Sequence, residues 1–389
     1  MCKPKLIFFV TEDWYFLMHR LAMARAAQQA GFEVGVITKV TGQADRVREL
    51  GIALHPIELR RGSLSLWGNL SVFLQLRRIL RRERPTIVQN VSWKPIALGG
   101  IAAWLTRAPF VVSTVTGTGY IGGWRGFKAR ILARLNELLL RFLLARPNHW
   151  FIVENDDDRR AFVSLCAKAA SRVVNVGGSG VDLDRFQPVP EPPPPVTAAY
   201  VGRMVELKGV TTLVSAQQRL RASGLAVDLL LVGGPDPENP TSIDEARLRE
   251  WQSLPGVRWL GRQQDIRAVW AQAHIAVLAS LGGEGLPMSL VEAAAMGRPI
   301  VATDIPGNRA IAQPGVSGIL VPPDDAGALA AAIAELAGNA ALRARLGAGA
   351  RALAVEKYSA PVVAAATREF YGNLLARIGE TQAGGRDRG

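Results

Sequence analysis

A run of four consecutive prolines near the middle of the chain constrains its fold more than any other feature. The run lies in the stretch VPEPPPPV, residues 189–196. Proline lacks a backbone N–H group and fixes its φ angle, so this stretch excludes a helix or a central strand and favours a stiff, extended linker. The length of the chain, 389 residues, favours two or three domains. We therefore predict a domain boundary at the proline run.

The same pattern of short apolar segments separated by helical segments occurs on both sides of the linker. The apolar segments before it are KLIFFV, EVGVIT, TIVQNV, FVVSTVT and HWFIVEN, and those after it are AAYVGR, VDLLLVGG, VRWLG, IAVLAS, PIVATD and GILVP. This alternation is typical of α/β domains with parallel sheets. We predict a first domain over residues 1–188, the linker over 189–196 and a second domain over 197–358, which face each other across a cleft.

The end of the chain is predicted to return to the first domain. Residues 359–379 read as one helix that is long enough to cross back and pack there, and residues 380–389 are predicted to be a disordered tail.

Positive charge is concentrated in the first half of the chain. Residues 1–180 hold 26 Lys and Arg and 12 Asp and Glu, a balance of +14, whereas residues 181–389 hold 20 and 21, a balance of −1. Much of the excess lies in RRILRRERP, residues 77–85, and in residues 124–146, where apolar residues at helical spacing are interleaved with arginines. This asymmetry indicates an anionic partner, and the second segment is typical of a helix on an anionic membrane surface. An ordinary amphipathic helix with solvated arginines is the alternative.

The composition also excludes some classes. Two cysteines and four scattered histidines argue against a disulfide framework or a metal site, and they fit a reducing cytosol. The longest uncharged stretches are rich in glycine and threonine and too short for a spanning helix, and the N-terminal apolar run is too short for a signal peptide. We expect a cytoplasmic protein that associates peripherally with the inner face of the membrane.

Ligands of parallel sheets bind beyond the carboxyl ends of the strands, so the residues that follow each strand are the candidates for a site. In the second domain, Arg203 and Lys208 follow the first strand. Two cations in this loop can bind a diphosphate and stabilise the charge that it gains on leaving. A solvent-exposed turn is the alternative for this loop.

The stretch EGLPMSLVEAAAMG, residues 284–297, reads as a loop followed by a helix with Gly297 as its stop. The backbone N–H groups of residues 286–290 are expected to be free to bind phosphate oxygens, and Gly285 allows a bound group to approach closely. Glu292 is placed to accept hydrogen bonds from a ribose diol, and Glu284 precedes the helix and can reach a sugar. A solvent-facing Glu292 is the alternative, because glutamate near a helix start is also favoured by the helix dipole.

The set of Arg203, Lys208, Glu284 and Glu292, with seven residues between the two glutamates, resembles the retaining GT-B glycosyltransferases of family 4. The segments VGGSGVDLDRFQP, GRPIVATDIPGNRAI and GILVPPDD also resemble segments of that family, although Ser179 stands where asparagine is usual. The resemblance covers essentially the whole chain. Three first-domain segments resemble members that extend polyprenyl-diphosphate-linked glycans, namely TEDWYFLMHRLAMARAAQQAGFEV, SWKP and TVTGTGY.

The resemblance implies the GT-B fold, with two Rossmann-like domains, and a nucleotide-sugar donor, UDP-linked, in the second domain. It implies that Arg203 and Lys208 bind the diphosphate, that Glu292 binds the ribose and that Glu284 contacts the donor sugar. The catalytic set is then Arg203, Lys208 and Glu284, and the donor-binding set adds Gly285, Leu286, Pro287, Ser289 and Glu292. We assign no nucleophile, and we expect no cofactor and no divalent metal, since the cations take the metal's role. The acidic run NDDDRR, residues 155–160, is predicted to open a helix instead.

The acceptor is expected to contact first-domain residues that follow strands or begin helices, because such residues should face the cleft. These are Asp13, His19, Arg20, Lys94 and Thr118. Many members of the family carry a histidine in a first-domain loop that hydrogen-bonds the sugar, but QNVSWKP and TVTGTGY contain none, and His19 is the candidate substitute. A structural role is the alternative for His19 and the role that we assign to His55, His149 and His274.

We therefore expect a retaining glycosyltransferase that transfers a hexose or N-acetylhexosamine from a nucleotide-sugar to a lipid-linked glycan acceptor in polysaccharide assembly. Three alternatives stay open: a GT-B enzyme with a soluble acceptor, a GT-B phosphorylase or epimerase, and a non-enzyme that binds nucleic acid or membrane. Nucleic acid is not expected as a partner, because no basic-aromatic module is present. The stretch GTGYIGG does not follow the first strand, so it does not indicate a dinucleotide site.

Overall fold

The computed structural model of the chain describes residues 3–60, 62, 65–117 and 127–386. Within these residues the strands form two parallel sheets. The first sheet has the order β3-β2-β1-β4-β5-β6-β7. Its strands are β1 (Lys5–Glu12), β2 (Glu33–Lys39), β3 (Ala53–Pro56), β4 (Ile87–Val91), β5 (Phe110–Thr114), β6 (His149–Val153) and β7 (Val173–Asn175).

The second sheet has the order β10-β9-β8-β11-β12-β13. Its strands are β8 (Thr197–Val201), β9 (Asp228–Val232), β10 (Val257–Trp259), β11 (Ile275–Leu278), β12 (Ile300–Thr303) and β13 (Gly318–Val321). No helix or strand occupies residues 189–196, and the first strand of this sheet begins directly after them. The predicted α/β class with two parallel sheets is confirmed.

Helices connect the strands in both halves of the chain. Those of the first half are α1 (Asp13–His19), α2 (Leu21–Gln29), α3 (Ala44–Glu49), α4 (Leu66–Glu83), α5 (Trp93–Leu105), α6 (Phe127–Leu144) and α7 (Asp156–Leu165). Those of the second half are α8 (Val210–Ala222), α9 (Glu245–Gln252), α10 (Ile266–Ala271), α11 (Met288–Ala295), α12 (Pro306–Ile311), α13 (Ala326–Gly338), α14 (Ala340–Tyr358) and α15 (Ala360–Arg386). Short 3-10 helices occupy Ala167–Arg172 and Glu206–Lys208.

Two strands and one helix break were not predicted. The strands β3 and β7 lie at the two edges of the first sheet and have four and three residues. Neither has a long apolar run, because edge strands are only partly buried. The segment FLMHRLAMARAAQQAG, residues 16–31, has the sequence pattern of a single helix closed by Gly31. In the structure it is divided into α1 and α2 at Arg20, whose φ of −126° is not helical. Arg20 is fully buried there.

The first sheet is covered by helices on both faces. Alternate residues of β1 point to opposite faces, so Leu6 and Phe8 pack with α2 and α15, while Ile7 and Phe9 pack with α4 and α5. The helix α6 packs on the same face of the first sheet as α5. There Leu143 belongs to a buried cluster with the residues of β6 that point to that face. The acidic run at residues 156–158 forms the first turn of α7, as predicted.

The last helix, α15, packs against α2 of the first domain. Its buried residues Phe370, Tyr371, Leu374 and Ile378 belong to the first domain's core, and the Tyr371 hydroxyl donates to Gln89 Oε1 at 2.6 Å. The helix continues to Arg386, so the predicted disordered tail is wrong for residues 380–386. The helix includes a Gly-Gly pair at residues 384–385, and each glycine costs only about 1 kcal/mol in a helix. No helix in the described residues is long and apolar enough to cross a membrane.

Candidate functional site

The loops that follow β8 and β11 bring two of the predicted residues into contact. Lys208 Nζ lies 2.5 Å from Glu284 Oε1, and Ser280 Oγ donates to the same oxygen at 2.5 Å. Glu284 is buried and Lys208 half-buried. A buried carboxylate with a cation and a hydroxyl on one oxygen is held in one orientation. Sequence reasoning missed Ser280, which lies just beyond the carboxyl end of β11.

Arg203 lies in the same region, in the loop after β8. Its Nη1 atom lies 2.6 Å from Oδ2 of Asp236, and its carbonyl oxygen accepts a hydrogen bond of 2.7 Å from the Tyr200 hydroxyl. Tyr200 is fully buried, and this burial raises the pKa of its hydroxyl. Tyr200 therefore stays a hydrogen-bond donor and fixes the Arg203 backbone. Asp236 was not predicted, although it follows β9 at the same sheet edge, a position that could have indicated it.

The loop and helix predicted within residues 284–297 are confirmed, and the helix is α11. Pro287 is its N-cap residue, and Gly297 follows its end with a φ of +77°, a conformation that favours glycine. Just before the N-terminus of α11, the N–H of Leu286 donates to the carboxylate of Glu154 in the first domain. The helix thus presents its positive end at the boundary between the two sheets.

The expectation that all N–H groups of residues 286–290 are free is wrong. The N–H of Leu286 donates to Glu154 Oε2 at 3.2 Å, and the N–H of Leu290 donates to the Pro287 carbonyl at 3.0 Å. The first contact is made by the first domain, which sequence reasoning did not position against this helix. The second arises because the first turn of α11 closes with a bond to the residue three positions earlier. Ser289 lies between them and is half-buried.

Glu292 lies on α11 and is half-buried rather than exposed, which argues against the solvent-facing alternative. Burial raises the pKa of its carboxyl to about 7, and the positive charge of Arg185 opposes this shift. The group is therefore poised between its neutral and ionised forms near neutral pH. A diol that donates hydrogen bonds to it favours the ionised form.

The loop after β6, in the first domain, contacts the β11–α11 loop, residues 279–287. Glu154 accepts from Leu286, and Asn155 Nδ2 donates to the Gly285 carbonyl at 2.7 Å. A Cβ atom on Gly285 would lie 2.3 Å from Glu154 Oε2 and 2.9 Å from the Gly117 nitrogen. Gly285 therefore allows the first domain's backbone and side chains to approach, in addition to any ligand. Neither Glu154 nor Asn155 was predicted to contact this loop.

The predicted acceptor residues differ in burial: some are buried and others are half-buried. Asp13 is fully buried, and its carboxylate accepts from the Thr41 and Gln43 N–H groups at 2.9 Å and from the Thr41 hydroxyl. The expectation that Asp13 faces the cleft is therefore wrong, because its acceptor oxygens fix the loop after β2. Arg20 is also buried, with its Nη2 atom 2.7 Å from Glu154 Oε1.

His19 and Lys94 lie at the surface of the first domain's carboxyl edge and are half-buried. The Ser179 hydroxyl donates to the His19 carbonyl at 3.0 Å, and burial lowers the pKa of the His19 ring to about 4, so the ring is neutral near pH 7. Lys94 Nζ donates to the Arg60 carbonyl at 2.5 Å, and burial lowers its pKa. Thr118 lies outside the described residues. None of these observations identifies an acceptor contact.

The other histidines have partners or positions in the interior. His149 Nε2 lies 2.8 Å from the Ser113 hydroxyl, and His274 Nδ1 accepts from the Thr197 N–H at 3.1 Å. His55 is half-buried on β3. Across the described ranges, no group of three or more His, Cys, Asp or Glu side chains is arranged to hold a metal ion.

Two family models match the two halves of the chain. Residues 5–148 match the one described as "Glycosyl transferase 4-like", and residues 195–339 match the one described as "Glycosyl transferases group 1". Together the two matches cover more than half of the chain, and each falls on one of the two sheets.

Individual relatives match at lower identity or over shorter stretches. The N,N'-diacetylbacillosaminyl-diphospho-undecaprenol alpha-1,3-N-acetylgalactosaminyltransferase of Campylobacter jejuni is 25% identical over 298 residues, 74% of this chain and 77% of that protein. The phosphatidyl-myo-inositol mannosyltransferase of Mycolicibacterium smegmatis is 34% identical over 240 residues, 59% of each chain.

A solved structure shows the same fold over nearly the whole chain. The crystal structure of Anabaena HepE in complex with UDP-glucose superposes with a TM-score of 0.72, at 15% identity, over 95% of this chain and 99% of that one. At this identity the likeness concerns the fold alone. With family models matching both halves of the chain and with its fold shared with a solved structure, the chain belongs to the glycosyltransferases, with a glycosyltransferase 4-like first domain and a group 1 second domain.

Proposed function

We propose that this glycosyltransferase is a retaining, metal-independent enzyme that transfers a hexose or N-acetylhexosamine from a UDP-sugar to a polyprenyl-diphosphate-linked glycan. One observation carries the proposal: Lys208 contacts Glu284 at the carboxyl edge of the second sheet, with Arg203 in the same loop as Lys208 and with the loop before α11 in contact with the first domain. The support for the substrates comes from relatives. One is named for an undecaprenol-diphosphate-linked acceptor, and a fold neighbour was solved with UDP-glucose.

The donor's charge distribution fits this arrangement of side chains. A diphosphate is neutralised by the two cations Arg203 and Lys208, which lie in one loop. When the donor enters, its phosphate oxygens compete with Asp236 for Arg203 and with Glu284 for Lys208. Arg203 has a side chain that is 47% exposed, so it can accept a second anionic partner without leaving the first. Glu284 then accepts from the donor sugar, and Glu292 from the ribose diol.

The transfer step needs no protein nucleophile in this proposal. The bond between the anomeric carbon and the diphosphate oxygen breaks, and the acceptor hydroxyl oxygen forms its bond to the same carbon on the same face. The acceptor's proton passes to the departing phosphate, whose new negative charge is stabilised by Arg203 and Lys208. Fixed cations give this stabilisation without the reorganisation that water would need.

The first domain has an exposed surface that fits a membrane with anionic lipids. Apolar side chains are exposed at the start of α4, with Leu66 at 84% and Trp67 at 82%, and midway along α6, with Leu135 at 56% and Leu138 at 62%. Both helices follow the carboxyl ends of strands, which is the edge that carries the site. Arginines lie further along α4, at residues 77, 78, 81 and 82. This combination of apolar and basic residues is typical of a surface that docks on a bilayer.

The test is a screen of nucleotide-sugars for thermal stabilisation, followed by transfer assays with a polyprenyl-diphosphate-linked sugar. The proposal expects one UDP-sugar to stabilise the protein, a product with the donor's anomeric configuration by NMR, and unchanged turnover in EDTA. A product with inverted configuration would refute the retaining mechanism, and turnover that is lost in EDTA and restored by added metal would refute metal independence. Salt-dependent binding to DNA without affinity for any nucleotide-sugar would support the nucleic-acid alternative instead.

A further inference from the structure

A buried ion pair lies in the first domain, directly beside the second. Arg20 is 2% exposed and Glu154 is 5% exposed, and Arg20 Nη2 lies 2.7 Å from Glu154 Oε1. Removing two charges from water costs several kcal/mol per ion, so such a pair is weak evidence for stability and calls for another explanation. Arg20 interrupts the helical segment between α1 and α2, and Glu154 directly follows β6.

The other carboxylate oxygen of Glu154, Oε2, contacts the second domain. It accepts the N–H of Leu286 at 3.2 Å, and the neighbouring Asn155 donates to the carbonyl of Gly285 at 2.7 Å. The Gly285 carbonyl and the Leu286 N–H belong to one peptide group. Two adjacent first-domain side chains therefore bind both polar groups of a single peptide in the β11–α11 loop.

Each of these two side chains is itself held in place. Arg20 binds the other oxygen of Glu154, and Asn155 contacts Asp158 twice, since its Oδ1 accepts from the Asp158 N–H at 2.8 Å and its Nδ2 lies 2.9 Å from Asp158 Oδ2. A rotation of the 285–286 peptide would break both bonds between the domains. The orientation of this peptide is thus fixed by the first domain.

The peptide lies next to the residue that the proposed reaction depends on. Glu284 directly precedes it and contacts Lys208, so a change at the 285–286 peptide moves the carboxylate that is proposed to contact the donor sugar. We propose that Glu154 and Asn155, with Arg20 behind Glu154, are positioning residues for transfer. They hold the β11–α11 loop in its reactive orientation only when the two domains are closed. This inference rests on the proposed function and adds the means by which the first domain controls the donor's geometry.

Two substitutions separate this role from a purely structural one. Glu154→Gln removes the charge that faces Arg20 and weakens the bond to Leu286. Asn155→Ser keeps a side-chain oxygen that can cap α7 but loses the donor to Gly285, and it leaves the Arg20 ion pair intact. A matched control is Asp157→Asn, because Asp157 makes a different contact between the domains, an exposed ion pair with Arg309 at 3.2 Å.

The first measurement is hydrogen exchange of residues 283–290 by mass spectrometry, without substrate. We expect exchange at the Leu286 amide to rise about tenfold in both variants, as loss of one hydrogen bond predicts, and to stay unchanged in Asp157→Asn. Unchanged exchange in both variants would overturn the inference. Hydrogen exchange does not require activity, so this test is independent of the proposed function. The proposed function would be refuted separately, by a wild-type protein that cannot transfer sugar.

The second measurement is steady-state kinetics with the nucleotide-sugar found by the screen. We expect kcat to fall about tenfold to a hundredfold in Glu154→Gln and Asn155→Ser, as misplacement of a reacting group does, while thermal stabilisation by UDP stays at the wild-type level. Asp157→Asn should keep the wild-type kcat. If exchange rises but kcat does not fall, the contact is structural only and the positioning role is refuted. If only Glu154→Gln loses activity, and its melting temperature also falls, the positioning role is likewise refuted.

Discussion

Lys208 contacts the Glu284 carboxylate in the free protein. In the proposed reaction it binds the donor diphosphate instead. Lys208→Ala removes the cation that stabilises the leaving group, so we expect kcat/KM to fall about a hundredfold or more. The fold should persist, because the Lys208 side chain is 23% exposed and Ser280 still donates to Glu284. Steady-state kinetics with circular dichroism checks this. Arg258→Ala, which removes an exposed cation of the same domain, is the control, and equal turnover in both variants would refute the role of Lys208.

The raised pKa of Glu292 predicts that the stability of the protein depends on pH. Its pKa is raised by burial from 4.5 to about 7, so the unfolded chain binds fewer protons at this group than the folded protein does. The contribution of Glu292 to stability is therefore fully present below pH 4.5 and is lost as the pH rises through about 7. We expect melting temperatures of Glu292→Gln to fall less over this range than those of the wild type. Parallel pH profiles of the two proteins would contradict the raised pKa.

The raised pKa of Glu292 also predicts how donor binding depends on pH. A ribose diol donates to the ionised carboxylate, so UDP binding should tighten as the pH rises through about 7. Calorimetric titrations on both sides of this pH measure the change. Glu292→Gln binds UDP without it, and this variant also corrects for the titration of the nucleotide itself. A wild-type pH profile that matches that of the variant would argue against the ribose contact.

At the scale of elements, α4 combines exposed apolar residues at its start with arginines toward its end. Reversal of charge at Arg77, Arg78, Arg81 and Arg82 should release the protein from anionic vesicles, since each basic residue near such a surface contributes about 1 kcal/mol. Cosedimentation with vesicles that contain phosphatidylserine measures this. Reversal at Arg247 and Arg249, on α9 of the second domain, is the control. Undiminished cosedimentation of the α4 variant would exclude α4 as part of the docking surface.

At the scale of the whole molecule, the end of the chain stabilises its beginning. Leu374 of α15 is 1% exposed within the first domain's core, so Leu374→Ala should lower the free energy of unfolding by about 2–5 kcal/mol. Denaturant titration measures the loss, with Asn373→Ala, an exposed position on the same helix, as the control. If both variants unfold at the same denaturant concentration, α15 does not contribute to that core.

The sequence by itself determined the local features of this protein. Strand and helix periodicity, the proline run and the loop–helix stretch at residues 284–297 are encoded over a few neighbouring residues, and the six strands of the second sheet and the helix α11 were predicted from them. The positions of Lys208 and Glu284 after strands of the second sheet were predicted from one rule, that ligand-binding residues gather at the carboxyl edge of a parallel sheet. The resemblance to a known family added the roles that these residues are proposed to have.

Only the tertiary structure decided which groups are buried and which meet across the domains. The sequence placed Asp13 in the cleft, but the folded loop after β2 encloses it. Glu154 and Leu286 are 132 positions apart, and their contact depends on how two separate sheets face each other. Local patterns carry no information about that orientation, because it results from the packing of entire domain surfaces.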